Sequence, residues 1–309
     1  DHECRALTLR ALGRSILGSD MHGRDDMVAA ALRDAVHWAV DRAMRPVNLP
    51  RWWPTRGRRR AVAASAALHS LAAEILRSCR SDAGIEAPLV RALMAAVDPE
   101  TGETLPDTAI CDELVLFMLA GHETISMALT YALYALGHHA DVQDRVAVEA
   151  RQLESASPGV PEVSRLGYTV QVLREGMRLC SPSLVLGRMV LQDIAVDGFR
   201  VSAGDFAAVS VAAVHHDPEV WEDPLTFDPD RFAPARMKEH GRWDYLPFGG
   251  GQRACLGDHF AIQEAALVLA GIVSRVEIRS LSSSFPIAVP LTTVPAAPVP
   301  ARVTPRSLG

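Results

Sequence analysis

The sequence predicts a mostly helical fold with a small β-sheet in its second half. Three observations lead there. A low-charge, apolar-rich run over residues 107–137 is far too long for a strand. Apolar residues recur at helical spacing over most of the chain up to Leu179. From Gly187 onward the period shortens to strand-like runs, and Asp197-Gly198 is a hairpin-turn pair.

The elements follow in order. Residues 5–45 alternate arginines with apolar positions at helical spacing. Pro46, Pro50 and Pro54 then break the pattern, with Trp52 and Trp53 between the last two. Residues 57–80 resume it from an arginine-rich start, which reads as a solvated helix end rather than a binding patch. Residues 98–106 read as a turn and loop, and Asp107 as the N-cap of the long helix that Gly137 stops. Apolar side chains nearly encircle that helix, so most of its faces should be buried. A second helix fits residues 140–153 and a third ends near Leu179, before Pro182. Short strands fit residues 188–191, 194–196, 199–201 and 206–211. Residues 215–247 read as a long ordered loop, and 256–273 as a helix with Ala261, Ala265, Val268 and Ile272 on one face. The proline-rich stretch 285–305 can hold only edge strands and turns.

With 309 residues, 49% of them hydrophobic, the chain can bury one large core or two modest ones. The net charge is −6 and no basic block resembles a nucleic-acid-binding tail. Lys238 is the only lysine among 31 basic residues, a bias that points to a GC-rich, bacterial genome. Cys4, Cys79, Cys111, Cys180 and Cys255 form no C-x-x-C pair and are odd in number, against a disulfide framework or structural zinc site. A reducing cytoplasm is the expected setting. Residues 114–136 resemble a membrane span in length, but Gly121, His122, Glu123, Thr124 and Ser126 interrupt them. A central carboxylate is costly in a bilayer, so a buried helix is expected.

The strongest motif is Phe248-Gly-Gly-Gly-Gln-Arg-Ala-Cys-Leu-Gly257. No G-K-[ST] follows the glycines, which excludes a P-loop. Cys255 stands at the start of a predicted helix, where free N–H groups and the helix dipole favour an anionic sulfur. Gly251 and Gly257 allow close backbone approach to a bound group, Arg253 places a cation beside it, and Phe248 can shield the sulfur. Cys180 lacks such a setting and reads as a core cysteine. The segment matches F-x-x-G-x-R-x-C-x-G at every specified position and resembles the haem-binding loop of cytochromes P-450. The resemblance makes Cys255 the proximal thiolate ligand of haem b, and a thiolate pushes electron density onto the iron to favour O–O cleavage.

Two further motifs resemble the same family. Glu175-Gly-Met-Arg178 places two opposite charges on one helix face, a weak signal alone. The family's E-x-x-R motif is similar in position, and Arg231 in Phe227-Asp-Pro-Asp-Arg-Phe232 is then the third member of a structural network. Ala120-Gly121-His122-Glu123-Thr124 resembles the oxygen-activation motif. There Gly121 leaves room for dioxygen, Thr124 donates a hydrogen bond to it, and Glu123 relays protons. His122-Glu123 also opens a zinc-protease pattern, but its second histidine would fall at Ser126. Arg188 resembles the strand arginine that contacts a propionate. His215-His216 fits no shared metal ion, because neighbouring side chains on an extended segment point opposite ways.

The resemblance covers roughly residues 5–305 and implies a cytochrome P-450 fold, with a further N-terminal stretch expected ahead of Asp1. It implies a monooxygenase that puts one atom of O2 into an apolar small molecule. Electrons would come from a ferredoxin or flavodoxin with its reductase. A peroxide-driven peroxygenase and a non-catalytic haem-binding remnant are the alternatives.

Overall fold

The computed structural model describes residues 1–45, 50, 53, 55–153 and 160–306; Pro46, Trp52 and Pro54 fall outside them. The chain divides into two compact units, Asp1–Ser126 and Met127–Gly309.

In the first unit, α1 (His2–Leu12) runs into a π-helical turn at Gly13–Leu17. Then come α2 (Asp25–Met44), α3 (Arg56–Ser81), α4 (Pro88–Ala95) and the first part of α5 (Asp107–Leu136). The expected helical stretch 5–45 is thus two helices, parted at residues 18–24. Asp25 and Asp26 place negative charge at the positive end of α2, and Pro88 opens α4 where no N–H is missed. Thr55 caps α3, its hydroxyl accepting from Arg58 N at 3.1 Å. Arg24 at the start of α2 meets Glu74 near the end of α3 at 2.9 Å, so the two helices run antiparallel. Leu68, Leu71, Ile75, Val28 and Leu32 are buried in this unit. Asp107 lies inside the first turn of α5 and not at its cap. Its charge acts on the helix dipole from there.

The second unit holds the rest of α5, α6 (Ala140–Arg151) and α7 (Gly167–Leu179). Strands β1 (Val185–Met189), β2 (Ile194–Val196), β3 (Phe199–Val201) and β4 (Phe206–Ser210) follow, then α8 (Val211–His215) and α9 (Asp258–Val273). The chain closes with β5 (Val276–Ser280), β6 (Ile287–Ala288), β7 (Val294–Pro295) and β8 (Ala301–Pro305). The strands form antiparallel ribbons, β1–β4, β2–β3, β5–β8 and β6–β7, where the sequence suggested one small sheet. Asp197 and Gly198, both at positive φ (48° and 81°), make the tight β2–β3 turn that the sequence marked. β1 begins at Val185, earlier than expected, because Gly187 lies flat under the Phe206 ring and still pairs with Ala208.

α7 packs against α6 and α9; Val172, Leu173 and Met177 of α7 and Ala266, Leu269 and Ala270 of α9 are all buried. The Gln143 amide seats β5 on this core. Its Nε2 donates to Leu136 O and Ile278 O, each at 2.9 Å, and its Oε1 accepts from Ile278 N at 2.8 Å. α5 is, among the described residues, the one helix long and apolar enough to cross a membrane. Half of its most apolar window (50%) is buried inside the protein.

Candidate functional site

Cys255 sits on a loop shaped by backbone conformation. Gly249 and Gly251 adopt φ of +70° and +73°, a region side chains disfavour. A short 3-10 turn at Gly251–Arg253 follows, and Cys255 N donates to Phe248 O at 2.9 Å, closing the loop. The thiol is exposed, whereas Cys4, Cys79, Cys111 and Cys180 are buried. Burial pushes the Cys180 thiol up to about 12, which makes it inert at neutral pH. The expected placement of Cys255 at the helix start needs adjustment. α9 begins at Asp258 with Gly257 as its cap, so Asp258, and not Cys255, occupies the first turn. Phe248 is half-buried.

Two cations flank this loop in the same unit. Arg253 is exposed with no acidic partner among the described residues. Arg188, also exposed, donates to Gly187 O at 2.8 Å and has no acidic partner among the described residues. Its strand touches the loop through Leu186, whose side chain lies beside Gly249. A sulfur donor, a bare-backbone loop, the exposed apolar side chain of Leu256 and two uncommitted guanidinium groups fit haem b with its iron and its propionates.

The buried triad lies in the same unit as the loop. Arg178 Nε and Nη2 donate to the two carboxylate oxygens of Glu175 at 2.7 and 2.9 Å. Arg231 Nε lies 3.5 Å from the same carboxylate. All three residues are buried. Burial raises the Glu175 carboxyl above its ordinary range, while Arg178, the Asp228 amide and Arg231 pull it back down. Arg178 also donates to His215 O, Pro224 O and Thr226 O at 2.8, 2.6 and 3.3 Å. Asp228 N donates to Glu175 at 2.9 Å, and Arg231 Nη2 to Asp223 O at 2.9 Å. One ion pair therefore gathers the carbonyls of residues 215–226, the connection that leads to the cysteine loop.

His215 is a participant the sequence reading missed. It ends the short helix α8, not an extended segment. Its Nε2 accepts from Leu246 N at 2.8 Å, and its ring stacks on Tyr245. Burial, then Arg178 and His216, lower its pKa to about 4, so the ring is neutral and able to accept. From sequence alone the His215-His216 pair is weighed only as a metal site. No group of three metal-ligating side chains occurs among the described residues.

The α5 motif lies in the first unit. Thr124 is half-buried, and its hydroxyl donates to Ala120 O at 2.7 Å. His122 is buried, burial lowers its pKa to about 4, and its carbonyl accepts from Thr8 of α1 at 3.1 Å. A Cβ at Gly121 would come 2.9 Å from Leu12 Cδ1, so the missing side chain makes room for α1. Glu123 is half-buried.

The sequence profile of the family described as Cytochrome P450 matches residues 7–298. Cyclooctat-9-en-7-ol 5-monooxygenase of Streptomyces melanosporofaciens is 35% identical over 276 residues, 89% of this chain and 60% of that protein. Cyclooctatin synthase of the same organism is 35% identical over 284 residues, covering 91% of this chain and 62% of its own length. The chain thus spans about 60% of the length of these curated relatives. Among solved structures, the heme domain of cytochrome P450DA superposes with a TM-score of 0.87 at 29% identity, over 98% of this chain and 67% of that one.

Proposed function

Because the chain belongs to the cytochrome P450 family, we propose that it is a haem-dependent monooxygenase acting on an apolar organic substrate. Haem b is the cofactor of this family, and when bound it supplies reductive activation of dioxygen, one atom entering substrate and the other leaving as water. The observation that carries the reading is Cys255: the one exposed thiol, on a glycine-shaped loop flanked by Arg253 and Arg188.

Cys255 supplies the thiolate to iron. Gly251 and Gly257 keep the backbone low against the macrocycle, Phe248 limits water at the sulfur, and Arg188 and Arg253 neutralise the propionates. Glu175, Arg178 and Arg231 act at a distance, by fixing the connection that delivers the loop. On α5, Thr124 holds a proton on Oγ1 and presents it to dioxygen once released from Ala120 O. Glu123 replenishes it through water, and Gly121 lets Leu12 of α1 pack close beside them. Residues 1–309 belong to one catalytic domain without making up the whole of it, the setting is cytoplasmic, and electrons arrive from a ferredoxin or flavodoxin with its reductase. The apolar substrate is argued from the relative named for oxidation of cyclooctat-9-en-7-ol.

The test supplies purified haem-loaded protein with a ferredoxin and reductase and follows oxygen uptake against product from a panel of apolar compounds. Product formed in step with oxygen supports the monooxygenase. Product with peroxide alone and none with reductase would make it a peroxygenase. Haem binding with no turnover on either route would leave a binding protein.

A further inference from the structure

The cysteine loop carries three consecutive glycines, Gly249, Gly250 and Gly251, and they are glycine for different reasons. Gly249 and Gly251 stand at positive φ, +70° and +73°. Gly250 does not. Its φ of −162° and ψ of 165° are extended backbone that any residue adopts. What bars a side chain there is a neighbour. A Cβ on Gly250 would stand 2.6 Å from Trp243 Cζ3, 3.4 Å from Cη2 and 3.5 Å from Cε3. The six-membered ring of the indole therefore lies on the Gly250 backbone. A Cβ on Gly251 or Gly257 would meet nothing within 4 Å among the described residues. The loop thus has one glycine covered by an aromatic ring and two left open.

The indole is placed by its own segment. Gly241 N donates to Asp244 Oδ2 at 2.6 Å and Asp244 N donates to Gly241 O at 3.2 Å, a turn that carries Trp243. Two residues on, the Tyr245 hydroxyl donates to Arg174 O of α7 at 2.9 Å. The Arg242 guanidinium sits over the indole, 4.8 Å from the ring centroid. Trp243 is nevertheless 54% exposed. A large apolar ring left half in water adds little to a core, and the turn and Tyr245 hold the segment without it. Its contact with Gly250 is what the ring adds.

We propose that Trp243 is a positioning residue for the thiolate: its indole, seated on Gly250, holds the loop in the closed form in which Cys255 N donates to Phe248 O, and keeps water off that stretch of backbone. This role rests on Cys255 being the ligand of the haem iron. The apolar shell around a metal site controls how much water reaches it, and with that its potential. One-electron reduction adds a negative charge beside the sulfur, and water stabilises that charge better than an indole does. Loss of the indole therefore moves the potential in the positive direction and loosens the Cys255 amide.

At 2.6 Å a Cβ on Gly250 and the ring cannot both stay, and the half-exposed ring is the freer to move. G250A should push the indole off the loop and so act as W243A does. The experiment measures, in the haem-loaded protein, deuterium exchange at the Cys255 amide, the reduction potential of the haem and the thiolate-type carbon monoxide band. W243A and G250A should each speed exchange several-fold and shift the potential positive by similar amounts. The two together should do no more than either alone, because both remove one contact. W243F, which keeps a flat ring on Gly250, should stay near the parent. Circular dichroism checks that the variants fold, and W243L gives the reading if W243A does not. Parent-like exchange and potential in folded W243A, or a double variant whose effects are the sum of the single ones, overturns the proposal. A parent without the thiolate-type band would overturn the haem assignment instead, and the exchange rates would still decide whether the indole holds the loop.

Discussion

At Thr124 the hydroxyl is already engaged, donating to Ala120 O at 2.7 Å. A threonine in a helix interior commonly bonds back in this way, so the backbone loses little when the hydroxyl turns elsewhere. Thr124→Ala should keep the fold and bind haem as the parent does. It should release more of its reducing equivalents as peroxide or water, measured as product per electron consumed. Equal coupling in variant and parent would remove Thr124 from proton delivery. Glu264 on α9 presents a different residue-scale problem. Both its carboxyl oxygens are buried with no partner among the described residues, and burial raises its pKa from 4.5 to about 8. The folded chain therefore binds this proton more tightly than the unfolded chain does. The stability so gained is present below about pH 4.5 and is lost as pH rises through about 8. Glu264→Gln should flatten the fall in melting temperature between about pH 5 and about pH 9. A fall as steep in the variant would show that Glu264 ionises freely in the folded state.

At the scale of elements, α7 and the connection over residues 215–232 stand or fall together. Removing one partner of a buried ion pair costs about 3–5 kcal/mol. A domain has about 5–15 kcal/mol in all. Arg178→Ala also strands the carbonyls of His215, Pro224 and Thr226. It should unfold the second unit or lower its melting temperature sharply, with loss of haem retention in gel filtration. A stable, haem-saturated variant would contradict the network. His215 adds an acid limit to the same connection. Its folded pKa of about 4 lies below the ordinary 6.5, so the unfolded chain binds more protons in between. Stability contributed by the neutral ring is lost as pH falls from about 6.5 towards 4, and His215→Gln should reduce that loss in acid denaturation. Glu175 and Arg178 were visible as an i, i+3 pair, and Arg231 through family resemblance. The bonds from Leu246 N to His215 and from Asp228 N to Glu175 were not. They form only when a connection without periodicity folds back on α7, and no local pattern encodes that closure. Likewise α8 is too short, at five residues, to reveal a helical period.

Across the whole molecule, the legible features were those with a short-range cause. The run now in α5, the Asp197-Gly198 turn and the spaced residues of the cysteine loop are each dictated by neighbours in sequence. The separate ribbons in place of one sheet, and the Leu12 contact beside Gly121, depend on distant segments and were not legible. The central claim is that Cys255 supplies the thiolate of a haem-dependent oxygenase. The most direct measurement is the absorbance of the haem-loaded, reduced protein under carbon monoxide, for the parent and for Cys255→Ala, with Cys180→Ala as control. We predict the long-wavelength thiolate-type band in the parent and in Cys180→Ala, and its loss in Cys255→Ala. A thiolate-type band that survives in Cys255→Ala, or that never forms in haem-loaded parent protein, would contradict the assignment.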